Sequence, residues 1–105
     1  MSEAVTVTVA WIIKPEFADK LVESLRGMFA ETRRRKGFRS IRLLRSAADP
    51  NQFLLVEEWD DAEDFQSYAR FRADTGDTAA LLAMTASPPQ LAVWSLNPLA
   101  AAASA

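Results

Sequence analysis

Cysteine and histidine are both absent from this sequence of 105 residues. Without cysteine the chain cannot form disulfides, thiolate metal sites or a thiol nucleophile, and this absence is compatible with a reducing compartment. Without histidine it lacks the commonest metal ligand and the commonest general base. No phosphate-binding loop or nucleophile–base pair is visible either. We therefore expect no bound metal and no cofactor, and hydrolase and nucleotide-dependent functions rank below other classes.

Long apolar runs and a strong net charge are missing as well. No segment is long and apolar enough to span a bilayer, and the start MSEAVTV lacks the basic and apolar regions of a signal peptide, so we expect a cytoplasmic protein. The formal net charge is -2, which gives no general reason to expect nucleic acid or a membrane as partner. The basic run from Arg33 to Lys36 is interpreted as a helix end whose cations complement the helix dipole.

Apolar residues make up 50% of the chain, which is enough to build a hydrophobic core. The length suits a single small domain, which we place at residues 1–97. Asn97-Pro98 ends the last predicted strand, and the Ala-rich stretch that follows offers few groups for packing. We therefore expect residues 98–105 to form a flexible tail.

The first half of the chain predicts a strand, a helix and a second strand. Val5 to Ile13 is rich in β-branched residues with period-two alternation, which is typical of a strand. Apolar residues then recur at three- and four-residue spacing from Pro15 to about Arg35, which predicts an amphipathic helix that stops before Gly37. The stretch from Phe38 to Arg45 carries several Arg residues and suits a strand at a sheet edge.

The stretch from Gln52 to Phe65, QFLLVEEWDDAEDF, organises the second half. Its unbroken apolar run predicts a strand buried on both faces, joined to the preceding strand by a turn at residues 48–51. Asp60 or Asp61 is expected to cap the helix that follows. A short helix at residues 78–86 and a last strand at residues 90–96 complete the pattern.

The order strand, helix, strand, strand, helix, strand predicts an α+β, ferredoxin-like fold with a four-stranded antiparallel sheet covered on one face by helices. Several of these strands are apolar on both sides, so the second face of the sheet must also be covered. The simplest cover is a second copy across a two-fold axis. We therefore expect a homodimer that forms through the sheet face.

The sequence resembles the antibiotic biosynthesis monooxygenase family, within the dimeric α+β barrel superfamily. The resemblance covers positions 5–96 and is carried by Lys14-Pro15 after the first strand, Gly37 before the Arg-bearing strand, the segment from Asp49 to Phe53, and Val56-Glu57-Glu58-Trp59 before a capped helix. It implies a dimeric α/β barrel. Similar members include small monooxygenases that oxidise phenolic or quinol-type aromatics with dioxygen and without metal or flavin, relatives that degrade haem, and many without an assigned activity. The family often carries a His nine residues beyond the Trp; here that residue is Tyr68, which argues against haem ligation.

The resemblance suggests a site in which Tyr68, Arg72 and Glu58 are catalytic. Arg72 would neutralise a phenolate, Tyr68 would donate or accept a hydrogen bond, and a Glu of raised pKa would act as base. Glu57 is an alternative base, but adjacent strand residues point to opposite faces, so only one of the two carboxylates can serve a given pocket. The substrate-binding candidates are Trp59, Trp11 and Phe65.

Each of these residues also has a purely structural interpretation. The tryptophans can be core residues, Tyr68 can place its ring in the core, and Arg72 can be an ion-paired helix residue. Two functions therefore remain: a cofactor-independent monooxygenase of a small aromatic, quinol or polyketide-like compound, or a non-catalytic dimer that binds a small ligand or a protein. A cavity beside Trp59 and Tyr68 would favour the enzyme, whereas an interior filled by Phe71, Leu81, Leu82 and Met84 would argue against it.

Overall fold

The computed structural model describes residues 3–96. The predicted domain end at residue 97 and the predicted tail at residues 98–105 lie outside the described residues. A 3-10 turn at Pro15–Phe17 precedes the first helix. The strands and helices are, in chain order, β1 Val5–Ile12, α1 Ala18–Thr32, β2 Phe38–Arg45, β3 Gln52–Trp59, α2 Ala62–Asp74, α3 Asp77–Met84 and β4 Gln90–Ser95.

The strands form one antiparallel sheet in the order β2-β3-β1-β4. The strands richest in apolar residues, β1 and β3, lie at the centre, and the Arg-bearing β2 lies at an edge, where charged side chains are best tolerated. The predicted α+β, ferredoxin-like fold is confirmed.

The first helix ends at Thr32 and not at the predicted Arg35. The Thr32 hydroxyl donates to the Met28 carbonyl over 3.0 Å, and the next amides bond back over only three residues, from Arg34 to Glu31 and from Arg35 to Thr32. A Thr side chain that bonds its own backbone and a tightened last turn both favour helix termination.

Gly37 is required at the turn between α1 and β2. Its φ is +83°, in the left-handed region that side chains rarely adopt, and a Cβ atom there would overlap the carboxylate of Asp64. Of the two residues predicted to cap α2, Asp60 and Asp61, the structure shows Asp61 in this role, since its side chain accepts a hydrogen bond of 2.8 Å from the Asp64 amide.

The third helix runs from Asp77 to Met84, whereas residues 78–86 were predicted. It therefore begins one residue earlier and ends two residues earlier than expected. The difference at the end arises because the chain turns to join the sheet: Thr85 forms a β-bridge with Ile13, and the Ala86 amide donates to the Ile12 carbonyl over 2.8 Å. Within residues 3–96, no helix is long and apolar enough to cross a membrane.

The two faces of the sheet differ in burial. The helix-facing side carries the core, with Val7 and Trp59 fully buried. The opposite side carries large apolar residues that stay open: Ile12, Leu44 and Trp94 are 40%, 41% and 57% exposed. The predicted homodimer would cover this side, and it remains a prediction.

Candidate active site

A cavity of about 510 Å³ lies between the helix-facing side of the sheet and the three helices. This volume is in the range of small-molecule sites, which are typically concave and mostly apolar. Leu81, Leu82 and Met84 of α3 form part of its wall, whereas Phe71 does not line it. The interior is therefore not filled by the inserted helix. Its apolar wall also includes Val9, Trp11, Leu25, Met28 and Phe65.

Glu57 places a buried carboxyl in the wall of this cavity. It lies on β3 opposite Val7 and points to the helix side of the sheet. Trp59 Nε1 donates to Glu57 Oε1 over 3.0 Å, and no described residue donates to Oε2. Burial raises the pKa of Glu57, and the hydrogen bond from Trp59 and the positive charge of Arg72 offset only part of this increase. The group can therefore exchange a proton closer to neutral pH than an exposed carboxyl can.

Trp59 lies behind the cavity wall and does not line the cavity. It is fully buried, and its ring packs on Tyr68 at a centroid distance of 5.0 Å and on Phe65 at 6.2 Å. Phe38 packs against Trp59 in a T-shaped arrangement, with 5.6 Å between the ring centroids. Trp59 thus holds Tyr68 and the Glu57 carboxyl in place.

Arg72 is buried at the α2 side of the cavity, and all five of its N–H donors are bound within the protein. Nε donates to the Tyr68 hydroxyl over 3.0 Å. The remaining four donors bind Glu31 Oε1 at 3.2 Å, Asp77 Oδ2 at 2.9 Å, the Met28 carbonyl at 3.0 Å and Thr32 Oγ1 at 3.1 Å. Arg72 therefore ties α2 to the end of α1 and the start of α3, and has no donor left for a ligand in this arrangement.

The Tyr68 hydroxyl is also fully hydrogen-bonded within the protein. It lies 2.9 Å from Thr32 Oγ1, whose own proton goes to the Met28 carbonyl, so the Tyr68 hydroxyl donates to Thr32 while it accepts from Arg72. A buried polar group that is satisfied in this way stabilises the fold and fixes the position of its ring.

The charges around Arg72 are balanced locally. Burial by itself lowers the pKa of the Arg72 guanidinium, but hydrogen bonds to Tyr68, Glu31 and Asp77 raise it above its usual value. The hydrogen bond from Thr75 and the ion pair with Arg72 hold the pKa of the Asp77 carboxyl below its usual range. The cation is therefore held by internal partners, as a buried charge requires.

The structure brings together four of the six predicted site residues: Trp11, Phe65, Tyr68 and Arg72 all line the cavity. Glu58 is exposed on the other face of the sheet, where it accepts a hydrogen bond of 3.1 Å from Ser40 Oγ. Of the two adjacent carboxylates, the structure thus places Glu57 in the cavity wall.

Sequence reasoning missed Thr32, Glu31 and Asp77, which complete the hydrogen bonds around Arg72. Thr32 lies at helical spacing from Leu21, Leu25 and Met28 and continues the buried stripe of α1. A polar residue within an apolar stripe was thus the sequence feature that could have indicated a buried hydrogen bond there. Glu31 and Asp77 carry no such signal, because they meet Arg72 only when three helices converge. Among residues 3–96 there is no cluster of three or more side chains suited to hold a metal ion.

Comparison with known proteins gives a family match over most of the domain. The family model described as antibiotic biosynthesis monooxygenase matches residues 4–75. No curated protein matches the chain.

Solved structures share the fold at low sequence identity. A conserved protein from Methanosarcina mazei Go1 superposes with a TM-score of 0.83 at 16% identity, over 90% of this chain and 94% of that one. A Nitrosomonas europaea protein assigned to the antibiotic biosynthesis monooxygenases superposes with a TM-score of 0.78 at 22% identity, over 93% of this chain and 95% of that one. SnoaB from Streptomyces nogalater, described as a cofactor-independent oxygenase, gives 0.72 at 18% identity, over 91% and 95%.

Proposed function

Because the chain belongs to the antibiotic biosynthesis monooxygenase family, we propose that it is a cofactor-independent monooxygenase that oxidises a small aromatic, quinol or polyketide-like compound with dioxygen. The observation that carries this proposal is the Glu57 carboxyl, buried and of raised pKa, in the wall of an apolar cavity. The description of SnoaB as a cofactor-independent oxygenase supports the same chemistry on the same fold.

Glu57 is the proposed base. Trp59 holds Oε1 at 3.0 Å, so the second oxygen is available to accept the phenolic proton of a bound substrate. A base works best when its pKa lies near the working pH, and burial moves the pKa of Glu57 in that direction. The positive charge of Arg72 lowers this pKa and so helps Glu57 to ionise before it accepts the proton.

The substrate supplies all the electrons in this scheme. Loss of the phenolic proton gives an electron-rich phenolate, and dioxygen reacts with it at carbon. For a substrate methylene activated by the phenolate, one oxygen atom forms the new carbonyl and the other leaves as water, with four electrons passing from substrate to dioxygen. The apolar walls keep bulk water from the anion while it reacts.

Tyr68 and Arg72 serve this site as positioning residues. A direct clamp on a phenolate would need a free N–H of Arg72, but the internal partners already take all five. We therefore assign to Arg72 the fixing of Tyr68 and the long-range effect on the Glu57 pKa. Trp11 and Phe65 would form walls for the ring system, and Trp59 would support both Glu57 and Tyr68 from behind.

A second copy of the chain is the proposed partner. The open side of the sheet carries exposed apolar residues on three strands, including Ile12, Leu44 and Trp94. Burial of such a surface against its own two-fold mate would stabilise a dimer. The family resemblance to a dimeric barrel points to the same assembly.

A non-catalytic ligand-binding protein is the second candidate. It is favoured by the full internal bonding of Arg72 and Tyr68, which leaves neither of these two predicted catalytic side chains a free polar hydrogen for a ligand. Oxygen consumption separates the two functions. The purified protein would be tested with quinols, anthrones and naphthols in an oxygen electrode, with Glu57→Gln as comparison. Oxygen uptake that depends on Glu57 supports the enzyme; thermal stabilisation by the same compounds with no oxygen uptake supports the binding protein.

A further inference from the structure

One oxygen of the Glu57 carboxylate borders the cavity without a hydrogen-bond donor. Oε1 accepts from Trp59 Nε1 over 3.0 Å, whereas no described residue donates to Oε2. Among residues 3–96, the one side-chain nitrogen or oxygen that is both fully buried and without a partner is Trp11 Nε1, so Glu57 Oε2 is in contact with open space. Because Glu57 is only 3% exposed and lines the cavity, that space is the cavity.

The charged groups around the cavity leave Glu57 without a cation of its own. Among residues 3–96, Arg72 of α2 is the one cationic side chain in the cavity wall. Its guanidinium donates to Asp77 of α3 at 2.9 Å and to Glu31 of α1 at 3.2 Å. The Glu31 side chain is 60% exposed and therefore screened by water, but Asp77 alone can offset the charge of Arg72. An ionised Glu57 is then an excess negative charge.

A cationic ligand would find this carboxylate already prepared for it. Burial has removed most of the water from Glu57 in the folded protein and raises its pKa. Binding therefore requires dehydration of the cation but little further dehydration of the carboxylate. A hydrogen bond between two charged groups is also about twice as strong as a neutral one. Phe65 and Tyr68 line the cavity and pack on Trp59, so the Glu57 end has aromatic walls that suit an apolar ring.

We propose that Glu57 Oε2 is the anchor for an organic ammonium ion, so that the cavity binds primary amines carried on an apolar ring system. The ammonium group donates to Oε2, and the rings contact the apolar walls. The amine is a ligand here, and no covalent bond is made or broken. This second ligand class depends on the cavity and the free carboxylate oxygen, and does not rest on the proposed oxidation.

A matched pair of probes tests this inference. Naphthylmethylamine carries an ammonium group at neutral pH, and naphthylmethanol has nearly the same shape without the charge. Their Kd values are measured by calorimetry at about pH 8 for the wild type, for Glu57→Gln and for Glu58→Gln. Glu58→Gln makes the same change of net charge on the other face of the sheet. We expect the wild type and Glu58→Gln to prefer the amine by about tenfold or more, and Glu57→Gln to lose this preference.

A second readout uses the wild-type protein alone. The ammonium ion requires the ionised carboxylate, and the pKa of Glu57 is raised above its ordinary value of 4.5. Amine binding at about pH 4 is therefore expected to release close to one proton, and binding well above the raised pKa to release none. Binding enthalpies in two buffers of different ionisation enthalpy give the number of protons released.

Four results would each overturn the inference. They are an amine that binds no tighter than the alcohol, the same preference in the wild type and Glu57→Gln, no binding of either probe, and no proton release at about pH 4.

Oxygen uptake distinguishes this inference from the proposed function. A Glu57-dependent preference for the amine without oxygen uptake from quinols, anthrones or naphthols retains the inference and rejects the monooxygenase. Oxygen uptake from these compounds with no Glu57-dependent preference for the amine does the reverse.

Discussion

Trp59 Nε1 donates a hydrogen bond of 3.0 Å to Oε1 of Glu57, two residues earlier on the same strand. Because residues two apart on a strand share a face, this bond fixes a carboxyl at the cavity wall with one of its oxygens already occupied. It also opposes the desolvation that raises the pKa of Glu57. A core tryptophan thereby sets the orientation and the acidity of the proposed base.

Removal of the Glu57 carboxylate is expected to lower kcat by roughly 10²-fold or more, since a positioned base contributes about this much. Glu57→Gln keeps the acceptor for Trp59 and is nearly isosteric. The matched control is Glu58→Gln, which alters the adjacent, exposed carboxylate on the other face and is expected to leave kcat within a few fold. Steady-state oxygen uptake measures both, and an equal loss in the two variants would contradict the assignment of Glu57.

Glu57 is expected to couple stability and activity to pH in opposite directions. Its pKa is raised above the ordinary value of 4.5, so the folded protein favours the protonated carboxyl. The protonated Glu57 carboxyl therefore contributes to the free energy of unfolding, and this contribution is fully present below pH 4.5 and is lost as the pH rises through the raised pKa. Turnover needs the ionised form and rises through the same pKa.

Urea denaturation between about pH 4 and about pH 8 tests this coupling. Glu57→Gln should be more stable than the wild type at high pH, and the difference in free energy of unfolding between the two proteins should shrink as the pH is lowered. A difference that is constant with pH, or that has the opposite sign at high pH, would rule out the raised pKa.

Tyr68→Phe is expected to lower the free energy of unfolding by about 1–3 kcal/mol, because it removes the hydroxyl shared by Thr32 and Arg72. Since this hydroxyl is bound within the protein, kcat should change only a few fold. Denaturant titration and oxygen uptake on the same preparation check both values. A loss of kcat of roughly 10²-fold at unchanged stability would instead make Tyr68 a direct proton-transfer group.

Two glycine substitutions are expected to change the free energy of unfolding in opposite directions. Gly37→Ala should destabilise the protein by about 1–2 kcal/mol or more, because φ is +83° and the new Cβ would overlap Asp64. Gly27→Ala lies within α1 with no atom within 4 Å of the new Cβ, and should stabilise by about 0.5–1 kcal/mol. Chemical denaturation measures both, and an equal response would contradict this account of the turn at Gly37.

The open sheet face is expected to form a dimer at micromolar concentration. Trp94→Glu introduces a charge on that face and should shift sedimentation towards the monomer. Gln66→Glu introduces the same charge on the exposed side of α2 and should leave the dimer intact. A wild-type protein that sediments as a monomer would contradict the proposed assembly.

Local patterns were sufficient to predict the elements and the sheet. The alternation in β1, the apolar run of β3 and the cap at the start of α2 each depend on neighbours in sequence, and each of these elements is found in the structure. The end of α1 was predicted less well, since the helix stops at Thr32, five residues before Gly37. The choice between Glu57 and Glu58 was not accessible in the same way, because it needs the strand register relative to the helices. The hydrogen bonds of Arg72 could not be predicted from the sequence either, because its partners come from α1, α2 and the start of α3.

The cavity itself is a property of how side chains pack and not of any segment. The apolar residues of α3 were compatible with a filled interior, but in the structure they line a cavity of about 510 Å³ without filling it. The unpaired indole of Trp11 is equally invisible in the sequence, where three tryptophans look alike.

The central claim is tested most directly by turnover of an anthrone or naphthol under isotopically labelled dioxygen, with mass spectrometry of the product. We predict that the wild-type protein incorporates one labelled oxygen atom per product molecule without added metal, flavin or reductant, and that Glu57→Gln does not. A compound that saturates the cavity in a thermal-shift titration and yet yields no labelled product and no oxygen uptake would contradict the account.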